Sequence, residues 1–365
     1  MLKYPEISKE VIRKTISPYT KIFTNIDLSF YKKFFGKKES SEKISKKEKL
    51  EFVDNSVKLT GSIKVNSISK SFGNNNILNN INLTIPKGKI FGLVGVSGSG
   101  KTTLLKLLVG FYKPSKGSVL FDGKDVQKHN KALRKSFGFA SQENCFYSRL
   151  NVEENIRYFA QLYGLTNEFI DSRLENVLRL VGLFEARKTL GENLSTGMRR
   201  RLDIACSLIH DPNVLILDEP TEDLDPNLRK EVLHMIRAIN RDNKTIIMTS
   251  HLLGEIENIC DVVGVIANGK IAKIGSPEEL KKEYSKDYEI RLETASRKYT
   301  SLLKGIKSSK IKKGRTATIY VREPEKALPK IISRAKKRKD KIISLKVARP
   351  SLSEVFQFIT KNAKK

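Results

Sequence analysis

Gly95-Val96-Ser97-Gly98-Ser99-Gly100-Lys101-Thr102 is the stretch that decides how this chain folds. It has the form G-x-x-x-x-G-K-[ST]. The apolar run Ile90-Phe91-Gly92-Leu93-Val94 precedes it, and Thr103-Leu104-Leu105-Lys106-Leu107-Leu108 follows. A strand, a glycine-rich turn and a helix in that order let successive backbone N–H groups point inward, and the helix adds its positive dipole end. The product is a cradle for a triphosphate, built from Gly95, Ser97, Gly98, Ser99 and Gly100 and continued by Thr103. Lys101 would reach the β- and γ-phosphates, and the Thr102 hydroxyl would take one place on Mg²⁺.

Outward from this loop, Gly61 opens a strand pattern at Ile63–Ile68, with Asn74-Asn75-Asn76 as a loop before a second strand, Ile81–Ile85. Short strands follow at Ser118–Phe121 and Phe137–Ala140, the latter ending at Ser141-Gln142, and helical patterns cover about 151–163 and 167–181. Leu194-Ser195-Thr196-Gly197-Met198-Arg199-Arg200-Arg201 begins a helix, for which Ser195 or Thr196 is a natural N-cap. Val214-Leu215-Ile216-Leu217 is a buried strand ending in Asp218-Glu219-Pro220, and Asp225-Pro226 starts another helix. Thr245-Ile246-Ile247-Met248-Thr249-Ser250-His251 is a second buried strand, with a histidine at its end. Strands alternating with helices predict an α/β fold with a mostly parallel sheet, whose ligands sit beyond the carboxyl ends of the strands.

Taken in order, the phosphate loop, Gln142, Leu194-Ser195-Thr196-Gly197, Leu217-Asp218-Glu219-Pro220, Leu224-Asp225 and Ser250-His251 resemble the nucleotide-binding domain of an ABC (ATP-binding cassette) ATPase of the P-loop NTPase class. The resemblance covers residues 61–280. It is nearest to the ATPase subunits of ABC-2 type exporters, whose signature often reads like Gly197-Met198-Arg199-Arg200-Arg201 and whose tail resembles Arg349-Pro350-Ser351-Leu352-Ser353-Glu354-Val355-Phe356. The resemblance implies ATP and Mg²⁺ as cofactors, with Asp218 on the metal, Gln142 on metal or water, and His251 on the γ-phosphate. It also implies Phe72 against adenine, and Asp225 among the nucleotide-site residues. Hydrolysis itself needs positioning, charge stabilisation and a polarised water, a role that suits Glu219.

Ser195 and Gly197 sit before a helix and form a second anion site. The family solution is a head-to-tail dimer, each ATP lying between one chain's phosphate loop and the other's signature. This chain departs from the usual signature at Thr196 and Met198, and from the usual small pair at Glu222-Asp223.

Residues 281–365 read as a small α+β domain with strands near 288–292, 317–321 and 342–347, a basic helix near 325–339 and a last helix from Ser351. The net charge is +29, of which about +18 falls in these residues and about +6 in residues 1–60, leaving the 61–280 domain nearly balanced. Basicity confined to the two ends makes nucleic acid an improbable partner of the core. In residues 8–35, Ile12, Ile16, Tyr19, Ile22, Phe23, Ile26, Phe30 and Phe34 recur at helical steps among lysines, broken at Pro18. They predict one amphipathic helix or two short ones, suited to an anionic membrane surface or equally to packing on the cassette or a permease. Binding of the full chain to anionic vesicles, weakening steeply with salt, would check the membrane alternative.

No window has 18 apolar residues free of charge, and the N-terminus lacks the apolar core of a signal peptide. Cys145, Cys206 and Cys260 are far apart and read as reduced thiols. The expectation is a cytoplasmic ATPase subunit, peripheral at the membrane's inner face, that powers export through a separate permease. The other class is a soluble ABC-type mechanoenzyme acting on ribosomes or nucleic acid, against which a single signature and the lack of heptads count. A regulatory module without turnover is opposed by the intact Lys101, Asp218, Glu219 and His251.

Overall fold

The computed structural model describes residues 61–284, 287–308, 310–312, 314–349 and 351–362. The basic extension 1–60, with its amphipathic stretch 8–35, lies outside the described residues. β1 (Ile63–Phe72) and β2 (Asn75–Ile85) pair as an antiparallel hairpin. Ile63, Val65 and Ile68 on one strand and Leu78, Ile81, Leu83 and Ile85 on the other are buried. Between them run polar residues, as expected of strands with one wet face. The structure carries both strands further than the sequence pattern does. Phe72 pairs with Asn75 and Ser71 with Asn76, so ladder pairing shrinks the expected Asn74-Asn75-Asn76 loop to a turn of Gly73 and Asn74.

β3 (Ile90–Val94) runs into the phosphate loop and α1 (Lys101–Leu108). β4 (Lys116–Phe121) and β5 (Lys124–Asp125) extend the hairpin into a sheet of order β2-β1-β4-β5. After α2 (Asn130–Leu133) and β6 (Phe137–Ala140) come α3 (Val152–Leu162), α4 (Asn167–Leu180) and α5 (Thr196–Leu208). Their starts follow from the sequence: Asn151 and Glu154 form a reciprocal capping box on α3, and Thr166 and Ser195 cap α4 and α5. β7 (Val214–Leu217), α6 (Pro226–Asn240), β8 (Thr245–Thr249), α7 (Leu253–Ile259), β9 (Val262–Ala267) and β10 (Lys270–Gly275) complete this part.

The central sheet has the order β10-β9-β3-β8-β7-β6 and is parallel except for the β10–β9 pair. β3, β7 and β8 are buried at every residue, which explains why they read as unbroken apolar runs. Successive side chains leave opposite faces of a strand. Leu215, Leu217, Ile246 and Met248 accordingly join one core, with α3 to α6, while Val214, Ile216 and Ile247 join another, with the hairpin sheet and α1. Because β3, β8, β7 and β6 are adjacent and parallel, the segments that follow them emerge along one edge. That edge receives the phosphate loop, His251, Asp218-Glu219 and Gln142.

α8 (Pro277–Tyr284) leads to β11 (Tyr288–Thr294), α9 (Tyr299–Leu302), β12 (Lys310–Lys312), β13 (Ala317–Val321), α10 (Pro324–Lys337), β14 (Ile342–Ala348) and α11 (Leu352–Asn362). The four strands form an antiparallel sheet of order β12-β13-β11-β14 over a small core that includes Ile290, Leu292, Ile319 and Ile331. α11 does not stay with this sheet. Leu352, Val355 and Ile359 enter the larger core of the parallel sheet, and the Leu352 N–H donates to Glu257 on α7 at 3.1 Å. No helix among the described residues is long and apolar enough to cross a membrane.

Candidate nucleotide-binding and hydrolysis site

The phosphate loop owes its shape to two glycines. A Cβ on Gly95 would lie 2.4 Å from Ser99 Oγ and 2.7 Å from the Ile266 carbonyl oxygen, so only hydrogen fits there. Gly100 precedes α1 at φ 101°, a left-handed conformation that glycine adopts without steric cost. The Ser99 N–H closes the turn on the Val96 carbonyl at 3.1 Å. The N–H groups of Ser97, Gly98 and Gly100 meet no acceptor among the described residues, and the buried Ser99 Oγ has no partner. Buried polar atoms are normally paired, so a loop with spare donors and an orphaned hydroxyl fits an anionic group such as a phosphate. Lys101 Nζ donates to the Gly95 carbonyl at 3.0 Å and stands 3.7 Å from Glu219 Oε1.

Asp218 is 2% exposed, and each of its oxygens accepts a hydroxyl: Thr102 Oγ1 at 2.7 Å and Thr249 Oγ1 at 2.6 Å. Thr249 also accepts the Glu219 N–H at 2.8 Å, so its single hydroxyl links both carboxylate residues. In the sequence the only signal of Thr249 is a hydroxyl inside a buried apolar run. Oxygen donors from Thr102 and Asp218 fit a hard divalent cation. No cluster of three His, Cys, Asp or Glu that could hold a metal occurs among the described residues, so a cation here would draw its other ligands from phosphate and water.

Glu219 is in the left-handed region at φ 50°, a conformation that costs a non-glycine residue about 1–3 kcal/mol. Its carboxylate is gripped from two sides. Oε1 faces Lys101, and Oε2 accepts from the His251 N–H at 3.2 Å and lies 2.9 Å from His251 Nδ1. Against an ionised carboxylate Nδ1 must carry the proton, which fixes the tautomer of the neutral ring and leaves Nε2 as an acceptor. Gln142 points elsewhere: its Nε2 donates to Glu222 at 2.5 Å, which leaves the amide oxygen for another partner. The structure thus joins Thr102, Asp218, Glu219 and His251 by hydrogen bonds, through Thr249, brings Lys101 to Glu219 as an ion pair, and ties Gln142 to the loop after Glu219.

A second residue missed in the sequence is Arg200, buried on α5 at 6% exposure. It donates to the carbonyls of Ser141 (2.5 Å), Asp218 (2.7 Å), Glu219 (2.8 Å) and Pro220 (3.0 Å). Burial pulls its guanidinium below the usual range despite the nearby Asp203 and Asp218. One turn on, Asp203 Oδ1 accepts the Cys145 N–H at 2.9 Å and lies 3.2 Å from its thiol. Although Cys145 as a residue is exposed, desolvation of the thiol and the Asp203 carboxylate push it up to about 12. Burial likewise raises the Asp203 carboxyl above its ordinary value.

Ser195 caps α5 through the Met198 N–H at 3.3 Å, and Gly197 packs on Leu228. No hydrogen bond or ion pair joins them to the phosphate loop among the described residues. Asp225 spends its carboxylate as the N-cap of α6, accepting from Asn227 and Leu228. Phe72 is 43% exposed at the end of β1, edge-on to Tyr112 with centroids 5.3 Å apart and with Lys70 Nζ 4.7 Å above its ring.

Comparison with known proteins agrees with this geometry. Residues 78–222 match the ABC transporter family, and residues 275–359 match the C-terminal domain of DrrA1-3-like ATP-binding proteins. The chain is 31% identical over 307 residues to the linearmycin resistance ATP-binding protein LnrL of Bacillus subtilis, covering 82% of this chain and 98% of that one. It is 37% identical over 222 residues to the lantibiotic transport ATP-binding protein SrtF of Streptococcus pyogenes, covering 61% and 91%. Among solved structures it resembles cbiO1 from Clostridium perfringens, part of the ABC transporter complex cbiONQ. There the identity is 31% and the TM-score 0.57, over 60% of this chain and 90% of that one. A phosphate loop, an Asp-Glu strand end and a histidine on one parallel-sheet edge, in a chain that aligns over 82% of its length with nearly all of LnrL, place the protein in the family of ABC transporter ATP-binding subunits.

Proposed function

We propose that this chain hydrolyses Mg²⁺-ATP at the C-terminal edge of its parallel sheet and uses the cycle to drive export through a separate membrane permease. The observation that carries this reading is the grip on Glu219, with Lys101 on one carboxylate oxygen and His251 on the other, beside the Thr102–Asp218 pair. A bound Mg²⁺ would be held by Thr102 and Asp218, with the Gln142 amide oxygen nearby, and would supply charge neutralisation at the phosphates. The protein's own part is positional. Lys101 exchanges its contact with Gly95 and Glu219 for phosphate oxygens, which frees Glu219 Oε1 to accept a proton from the attacking water. His251 fixes that carboxylate through Nδ1 and offers the rest of its ring to the phosphate side. Thr249 and Arg200 hold the backbone on which Glu219 sits.

The site is completed, in this reading, by Ser195 and Gly197 of a second ATPase subunit arranged head to tail, because within one chain no hydrogen bond or ion pair among the described residues joins them to the phosphate loop. Phe72 supplies the base platform. Residues 61–280 form the motor, residues 1–60 an extension, and residues 281–365 an appended domain at the cytoplasmic face of the membrane. Relatives named for lantibiotic transport, bacitracin transport and linearmycin resistance support export of a compound of the antibiotic class. Purified chain should release phosphate from ATP with Mg²⁺ and lose that activity on chelation or on Lys101→Ala. Turnover that survives either change would refute the reading.

A further inference from the structure

We propose that Arg200 is the positioning residue that holds the Glu219 backbone and the Gln142 loop in one fixed geometry. All four of its acceptors are main-chain carbonyls, and they come from two segments only: Ser141, at the end of β6, and Asp218 to Pro220, at the end of β7. A guanidinium is a planar fork of five donors, so it can bind carbonyls from two strand ends at once and fix their relative orientation. Packing alone would not require it, since Leu202 and Ile204 on the same helix pack through apolar side chains. A buried charge is costly unless its hydrogen bonds are made. Here three of the four are made to the backbone of the segment that carries Glu219, and the fourth to Ser141 beside Gln142.

Two further observations point the same way. The Glu219 carbonyl that Arg200 holds belongs to a residue at φ 50°, a conformation that needs outside support. On the next turn of α5, Asp203 takes the Cys145 N–H, so the helix grips the segment carrying Gln142 at both ends, residues 141 and 145. α5 also begins at Ser195 and Gly197. A nucleotide engaging that end of the helix therefore acts on the same rigid element that positions Glu219.

The inference rests on Glu219 being the hydrolytic carboxylate, and the test separates the two. Arg200→Met and Arg200→Lys are compared with the unaltered chain for Mg²⁺-ATP affinity and for turnover normalised to bound nucleotide. Misplacement of a catalytic group by about 1 Å costs on the order of 10²-fold. Arg200→Met should accordingly lose roughly 10- to 100-fold in normalised turnover with affinity held within about threefold, and Arg200→Lys, which keeps the charge but not the fork, should fall between. Leu202→Ala, a change in core packing on the same helix, should lower the thermal midpoint and leave normalised turnover in place. Normalised turnover of Arg200→Met near the unaltered value, or affinity and turnover falling together, overturns the proposal. If Arg200→Met does not fold, Arg200→Lys decides alone: slowed turnover with retained binding supports it, and unchanged turnover overturns it. Glu219→Gln is measured in parallel. If that variant is slow while the Arg200 variants are not, only this inference fails; if it is not slow, the reading of Glu219 fails.

Discussion

At the edge of the parallel sheet, Asp218, Asp203 and Arg200 are no more than 6% exposed, and each is held by hydrogen bonds to hydroxyls, N–H groups or carbonyls. Around the C-terminal sheet, Arg315 and Arg322 beside β13 and Lys326 on α10 pair with carboxylates while their side chains stay 71–79% exposed. The second region carries most of the chain's net charge, and the first carries the proposed chemistry. Burial makes the difference: a desolvated charge interacts strongly with its partners and is expensive to leave unpaired, while an exposed ion pair contributes about 0–1 kcal/mol. The amount of charge is therefore a poor guide to function in this molecule, and the degree of enclosure a good one.

The largest effect expected from breaking this contrast is at Ser195. Ser195→Arg places a charge where the second subunit's nucleotide is to be bound, and should reduce turnover to background while nucleotide binding to the isolated chain stays nearly intact. Binding that fell in step with turnover would assign Ser195 to its own chain's phosphate loop.

A smaller and pH-dependent effect belongs to His210, a buried ring stacked on Tyr163 at 3.6 Å, with Nε2 3.0 Å from the Phe137 carbonyl oxygen and Nδ1 without a partner among the described residues. Burial pulls its pKa from an ordinary 6.5 down to about 4. The unfolded chain takes up a proton below pH 6.5 and the folded chain does not. This contribution to stability is therefore complete above pH 6.5 and is lost as the pH falls toward 4, by about 1.4 kcal/mol per unit. Thermal midpoints between pH 7 and 4.5 should fall less for His210→Gln than for the unaltered chain. Equal slopes would show that the ring is not buried as a neutral group.

The smallest effect is on the other side of the comparison. Arg322→Ala breaks the 3.7 Å contact with Asp287 and should change stability by no more than about 0.5 kcal/mol in a denaturant titration. A loss above about 2 kcal/mol would mean that surface charge in the C-terminal sheet is structural after all.

The sequence made legible what local pattern controls. The phosphate loop, the unbroken apolar strands and the Asp225-Pro226 and Ser195 helix starts are all short-range signals, and the structure has each where its residues imply. Thr249 and Arg200 were not legible, because their meaning lies in partners 18 to 59 residues away along the chain. A hydroxyl in a buried strand and the middle arginine of Arg199-Arg200-Arg201 look ordinary until the strand ends are set side by side. The hydrogen bond from Gln142 to Glu222 and the docking of α11 on the larger core are tertiary in the same sense. The Gly73-Asn74 turn is shorter than the expected loop for a different reason, since asparagines favour loops by propensity and ladder pairing overrides it.

Steady-state hydrolysis by Glu219→Gln tests most directly whether the enclosed carboxylate at the end of β7 is the one that polarises water. The substitution keeps the shape and the contact with His251 but removes the proton acceptor. ATP binding should be retained, and turnover should fall by roughly 10²–10⁴-fold. Turnover within a few-fold of the unaltered chain would contradict the account.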